Sequence, residues 1–194
     1  MPEDRRPSVS VVGSTICRNN RIKKKKGAVM NSNRMLPGFR RIERHDKLFQ
    51  EQAHDAYKPQ LAEPTVCLQC KAVFEHGRWH WGKARAGARK AICPACHRIH
   101  DHFPAGYVML GGAFFKAHRN EVLSLVHNHE TRERTEHPLQ RIMAVEEEGD
   151  EALITTTDIR LARNIGEALL RAYQGELEYH YNPSEDLLRV NWTH

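Results

Sequence analysis

Hydrophobic periodicity organises the second half of this chain and almost disappears from the first. Residues 113–136 place Phe114, Ala117, Val122, Leu125, Val126 and His129 at intervals of three and four. That spacing predicts a helix whose charged second half projects from the core. His137-Pro138 ends it, because proline disfavours helical geometry in the residue before it. Residues 141–147 alternate apolar and polar side chains, Gly149-Asp150 supplies a turn, and residues 152–157 return as a β-branched strand. Asp158 is the candidate N-cap of a helix running to about Gln174, with Ile159, Ala162, Ile165, Leu169, Ala172 and Tyr173 on one side. Gly175 is its stop signal. Residues 176–181 and 187–192 are two further alternating runs. The order ββαββ predicts a helix on one face of a small antiparallel sheet, class α+β.

The first 60 residues hold no sustained period of two or 3.6. Residues 38–57 could form a short polar helix around Ile42, Leu48 and Phe49, which would bury little alone. A basic flexible arm is expected there, either a solvated tail or a segment that orders on nucleic acid. Four regions result: the arm over 1–60, a cysteine-bearing module over 61–112 bracketed by Pro64 and Pro104, a connecting helix over 113–138, and the ββαββ unit over 139–194. No run approaches the roughly 20 apolar residues of a membrane span. The N-terminus lacks the apolar segment of a secretory signal, so the expected location is cytoplasmic.

Charge divides the chain more sharply than its net of +6 implies. Residues 1–60 carry +8, residues 61–112 carry +4 and residues 113–194 carry −6. A basic front half meets a polyanion, and RNA or DNA is favoured because no amphipathic apolar face is present for a membrane. Lys23, Lys24, Lys25 and Lys26 form a run that either solubilises the arm or neutralises phosphates, and Arg40 and Arg41 are further candidate contacts.

Four of the five cysteines fall in two pairs, Cys67-Leu-Gln-Cys70 and Cys93-Pro-Ala-Cys96, separated by 22 residues. In a reducing compartment such pairs read as a metal site rather than a disulfide framework. One structural Zn²⁺ on Cys67, Cys70, Cys93 and Cys96 is expected, in a zinc ribbon with a long hairpin between two knuckles. A dithiol redox pair and an iron site are the alternatives. Four thiolates close the coordination shell, so no catalytic water is expected. Cys93-Pro94-Ala95-Cys96 matches half of the deaminase signature, but His76 is not followed by the glutamate that the other half needs. His97, His100 and His102 follow Cys96 and could join His127 and His129 in a second metal site. Positions 127 and 129 do not share a helix face, which argues against it. Cys17 stands alone in the arm, either a free thiol or a nucleophile activated by nearby cations.

Between the cysteine pairs lie Phe74, Trp79 and Trp81 among Arg78, Lys83, Arg85, Arg89 and Lys90. The two tryptophans, two apart, would share a strand face that either packs on the module's core or stacks bases. The segment 84–90 is basic and bears glycine, as a flexible fingertip gripping phosphates would.

The pairs Cys67-Leu-Gln-Cys70 and Cys93-Pro-Ala-Cys96, then Gly106-Tyr107-Val108 before a helix, and the later helix ending at Gly175, resemble the archaeal and eukaryotic large-ribosomal-subunit export adaptor family. A set of small bacterial proteins shares that pattern. The resemblance spans roughly residues 64–194. Members usually carry more C-x-x-C pairs and a long C-terminal extension, so it implies ribosome or rRNA contact rather than export. The expected function is an RNA-binding accessory, assembly or hibernation-type factor, with no enzymatic constellation and no small-molecule substrate evident. The alternative is a zinc-dependent DNA-binding transcriptional regulator, for which no helix with clustered Arg, Asn and Gln is found.

Overall fold

Alternating apolar positions become strands and three-to-four spacing becomes helices through most of the C-terminal half. The computed structural model describes residues 37–43 and 61–194. The expectations for Cys17, for the lysines at 23–26 and for most of the arm lie outside them. Strand β1 (Arg40–Ile42) is followed by four short strands, β2 (Thr65–Cys67), β3 (Val73–Glu75), β4 (Arg78–His80) and β5 (Arg89–Ala91), and by helix α1 (Pro94–Asp101). Then come β6 (Gly106–Gly111), α2 (Ala113–Glu136), β7 (Ile142–Glu148), β8 (Glu151–Thr156), α3 (Ile159–Tyr173), β9 (Glu176–Asn182) and β10 (Leu187–Thr193). The described residues fall within one compact unit that contains two sheets. One has six strands in the order β1-β9-β10-β6-β8-β7, the other four in the order β4-β3-β2-β5. The class is α+β.

The core lies between the larger sheet and the two long helices. Strand register aligns Tyr179, Val190, Val108 and Ile154 across β9, β10, β6 and β8, and all four are buried. Burying each of the three aliphatic side chains in that row stabilises the fold by about 1.5–3 kcal/mol. Helix α3 covers this row closely. A Cβ at Gly166 would stand 2.7 Å from Val190 Cγ1 and 2.9 Å from Leu177 Cδ1, so only glycine permits that approach. Asp158 caps α3 as its sequence position implies, its carboxylate accepting from the N–H groups of Arg160 at 2.7 Å and Leu161 at 3.4 Å. Helix α2 adds Phe115, Val122 and Val126 to the same core.

Three expectations change. The hairpins β7–β8 and β9–β10 both form, but they do not pair with one another as a plain ββαββ sheet would. Strand β6 separates them, antiparallel to β8 and parallel to β10. The parallel contact needs a crossover, and the helices provide it, making a split βαβ arrangement. Residues 106–111, assigned with the cysteine module, are thus at the centre of the larger sheet, and α2 packs on α3 and β6 rather than merely connecting. Finally, where the polar helix expected over 38–57 falls on described residues it is a strand, while Leu48 and Phe49 lie outside them. Arg40–Ile42 pairs with β9, and Ile42 is buried in the core.

Candidate metal centre and its basic hairpin

Tight turns and a helix N-terminus bring the four cysteines together. Cys67 ends β2, and the chain reverses through Cys70 into β3, closed by the Cys67 N–H donating to the Ala72 carbonyl at 2.8 Å and the Lys71 N–H to the Cys67 carbonyl at 3.1 Å. Cys93 is the N-cap of α1, Pro94 occupies its first turn, and Cys96 lies one turn in. Proline is favoured there because its missing N–H would have no helical partner anyway. The second pair therefore sits on a helix and not on a second strand-turn knuckle, which corrects the two-knuckle ribbon drawn from spacing alone. The reason is local: once β5 pairs with β2 in parallel, the chain leaves the sheet directly into α1.

All four Sγ atoms lie within 4.8 Å of one another. Cys67 and Cys96 are 3.8 Å apart and Cys70 and Cys93 are 3.7 Å apart. A tetrahedral ion with metal–sulfur bonds of about 2.3 Å requires edges of about 3.8 Å. The quartet fits such an ion, and Cys67, Cys93 and Cys96 are buried with it. Backbone N–H groups already point at the sulfurs, that of Cys93 at Cys67 and that of Cys96 at Cys93, both 3.4 Å. These donors favour thiolates.

By themselves four adjacent sulfurs cannot all ionise. The hydrogen bond with Cys93 holds the Cys70 thiol well below the ordinary thiol range, while the same contact, followed by burial, pushes Cys93 up. Burial pushes Cys96 up as well. A bound cation would remove this conflict, because thiolates are the form a metal takes.

One cation is supplied by the larger domain. Arg141, only 6% exposed, donates from Nη1 to Cys96 Sγ at 3.4 Å and from Nε to the Pro138 carbonyl at 2.7 Å. Its guanidinium lies 5.9 Å from the centre of the Trp81 ring. Burial works against this charge, and the neighbouring cysteines outweigh it, so its pKa stays above the usual arginine value. Arg141 was read only as the start of an alternating strand. Its partner is 45 residues away, and no local pattern carries that information.

The two tryptophans part company. Trp79 packs against Phe74, ring centres 5.5 Å apart, and joins Ile92 and Leu139 around the cysteines. Trp81, 39% exposed, lies past the end of β4 and donates its indole N–H to the Arg134 carbonyl at 2.6 Å. It pins the hairpin to the end of α2.

The expected long hairpin is a short one. β3 and β4 turn at His76-Gly77, both at positive φ, and the Glu63 carboxylate accepts from both of their N–H groups at 2.8 Å. Those bonds, Gly77 first, hold Glu63 below the ordinary carboxylate range. Arg89 and Lys90 are not in a fingertip but on β5, at the edge of the four-stranded sheet. Arg78, Lys83, Arg85, Arg89 and Lys90 are all exposed. Arg85 is paired with Glu75 at 3.2 Å, whereas Lys83, Arg89 and Lys90 have no ion pair among the described residues. Arg40 and Arg41 lie apart, on the edge of the six-stranded sheet, Arg40 against the Tyr181 ring and Arg41 paired with Glu178 at 3.2 Å.

His97, His100 and His102 are exposed on and after α1, while His129 is buried in α2 and His127 is not. Among the described residues the cysteine quartet is the one cluster arranged to hold a metal ion. Among them, too, no helix is long and apolar enough to cross a membrane. Comparison with protein-family models, with curated proteins and with solved structures gives no match to this chain.

Proposed function

We propose that this chain is a zinc-dependent RNA-binding protein that associates with the ribosome as an accessory factor, and that its zinc is structural. The observation that carries the reading is the exposure of Arg78, Arg89 and Lys90 on the small sheet that the cysteines organise, with Lys83 exposed in the loop after β4. Zinc is the ion that four thiolates in tetrahedral array suit best in an intracellular protein. With its shell closed it holds shape and offers no site for a substrate. Cations on exposed strands track a phosphate backbone. The resemblance of the cysteine pairs to the large-subunit export adaptor family favours ribosomal RNA over other RNAs.

At low salt the purified chain is expected to co-sediment with ribosomal subunits and to prefer structured RNA over duplex DNA in titrations at matched salt. Failure to sediment with subunits would remove the ribosome from the account, and a preference for duplex DNA would replace it with a DNA-binding regulator.

Arg141 provides a separate check on the metal. A divalent ion with four thiolates is left doubly negative, and Arg141 is the buried cation against it. Arg141→Leu is expected to weaken zinc binding about 10–100-fold, as losses outside the ligand shell do. Competition with a chelating dye measures this. Unchanged affinity would show that Arg141 serves docking alone.

A further inference from the structure

Oxidation of a thiolate depends on whether an oxidant can reach it, and the four sulfurs of the quartet are not equally open. Cys67 and Cys93 are fully enclosed and Cys96 is 3% exposed, whereas Cys70 is only half-buried. The cause is local. Cys70 lies in the turn after β2, where its neighbours Leu68, Gln69 and Lys71 are all exposed. Cys67 belongs to β2 itself, the strand enclosed between β3 and β5. Cys93 and Cys96 are held at the N-terminus of α1, and Arg141 is packed against Cys96 at 3.4 Å.

An oxidant arriving from solvent therefore meets one sulfur before the rest. Behind it stands Cys93, whose sulfur is 3.7 Å from that of Cys70. A disulfide closes at about 2.05 Å, so an approach of less than about 2 Å joins the pair. We infer that Cys70 is the site at which a peroxide enters this centre, and that Cys70 and Cys93 then form a disulfide that frees the metal. The inference rests on the metal assignment above and is independent of RNA binding.

The Cys70 thiolate attacks one oxygen of hydrogen peroxide. An S–O bond forms, the O–O bond breaks and hydroxide leaves, giving the sulfenic acid. The Cys93 thiolate then attacks the Cys70 sulfur. An S–S bond forms, the S–O bond breaks and a second hydroxide leaves. Two protons from solvent convert both hydroxides to water. The sulfur pair has given up two electrons, and the peroxide has taken them. Cys67 and Cys96 remain as thiolates, two donors where a tetrahedral ion needs four. The ion leaves, and the four-stranded sheet loses the coordination that orders it.

The test uses residues 1–194 loaded with zinc, carrying Cys17→Ser so that the fifth cysteine cannot compete, and hydrogen peroxide as the oxidant. A chelating dye follows zinc release, and peptide mass spectrometry after alkylation maps the sulfurs. One zinc is expected to leave for each disulfide formed, with Cys70 joined to Cys93, and reductant with added zinc should restore the starting state. Under limiting alkylation of the loaded protein, Cys70 should react on the order of tenfold faster than Cys67, Cys93 or Cys96. Cys70→His exchanges the accessible sulfur for another donor that zinc accepts, and peroxide should strip the zinc it holds on the order of tenfold more slowly. Zinc retained under peroxide, a disulfide between Cys67 and Cys96, or equal labelling of the quartet would each overturn the Cys70 site and leave the metal centre standing. A chain that binds no zinc would remove the metal assignment and this inference with it.

Discussion

Cys93→Ser is expected to release the metal ion and unfold the four-stranded sheet with α1, while the six-stranded sheet keeps its fold. The difference follows from what each part buries. The larger core holds Trp192, Phe115, Leu110, Ile154, Leu161 and Leu169 fully buried, and needs no ion. The smaller cluster consists of Cys67, Cys93, Ala95 and Cys96, with Cys70, Trp79, Ile92 and Leu139 only partly buried against it. So little apolar area cannot offset the conformational entropy of ordering the module. Metal coordination must supply the difference, and structural zinc typically contributes about 10–16 kcal/mol to such folding. Cys93 is central, since its sulfur stands 3.7 Å from that of Cys70 and caps α1 by accepting from Cys96 N–H. Serine substitutes a protonated hydroxyl for a thiolate and removes one of four ligands. Metal content by native mass spectrometry and hydrogen exchange resolved by segment would read both effects. Full zinc occupancy in the variant, or unchanged protection over β2 to β5, would refute the ligand assignment.

Charge reversal of Lys83, Arg89 and Lys90 to glutamate is expected to weaken RNA binding on the order of a hundredfold at low salt and to flatten the salt dependence by about two logarithmic units of slope. Each lost phosphate contact on single-stranded RNA removes roughly 0.7 from that slope, and three are lost. Arg85 is left out because its pairing with Glu75 at 3.2 Å already spends its charge within the protein. None of the three targets is buried, so zinc content and thermal stability should remain those of the wild type. An affinity loss with an unchanged slope would mean that the variant disturbs the fold and not a phosphate contact.

The sequence exposed some layers of this molecule and hid others for identifiable reasons. Local signals were sufficient where structure is local. The capping role of Asp158, the turn at Gly149 and the strands on either side of residues 183–186 are written in a few consecutive residues, and each is present. The cysteine quartet was legible because two C-x-x-C pairs leave few other uses for thiols, and the structure gathers all four. The sheet order was not legible. Residues 106–111 follow Pro104 and α1, and nothing in Gly-Tyr-Val-Met-Leu-Gly tells that its neighbours are β8 and β10, the latter 80 or so residues on. Arg40–Ile42 was hidden similarly, since three residues carry no period, and only pairing with β9 makes them a strand. Removing residues 1–60 to test the arm would therefore also strip β1 from the sheet and Ile42 from the core. Arg141 was missed because its contact depends on a cysteine cluster assembled from distant segments.

These elements form one chain of cause. The cysteines fix a small sheet that cannot hold itself, Trp81 and Arg141 fasten it to the larger domain, and its cations stay exposed, where the proposed function sets RNA. The most direct test of that chain of cause is the affinity of residues 1–194 for ribosomal RNA before and after zinc is withdrawn by a chelator and then restored. The account predicts that affinity collapses on withdrawal and returns with zinc. Equal affinity in the stripped protein would contradict it.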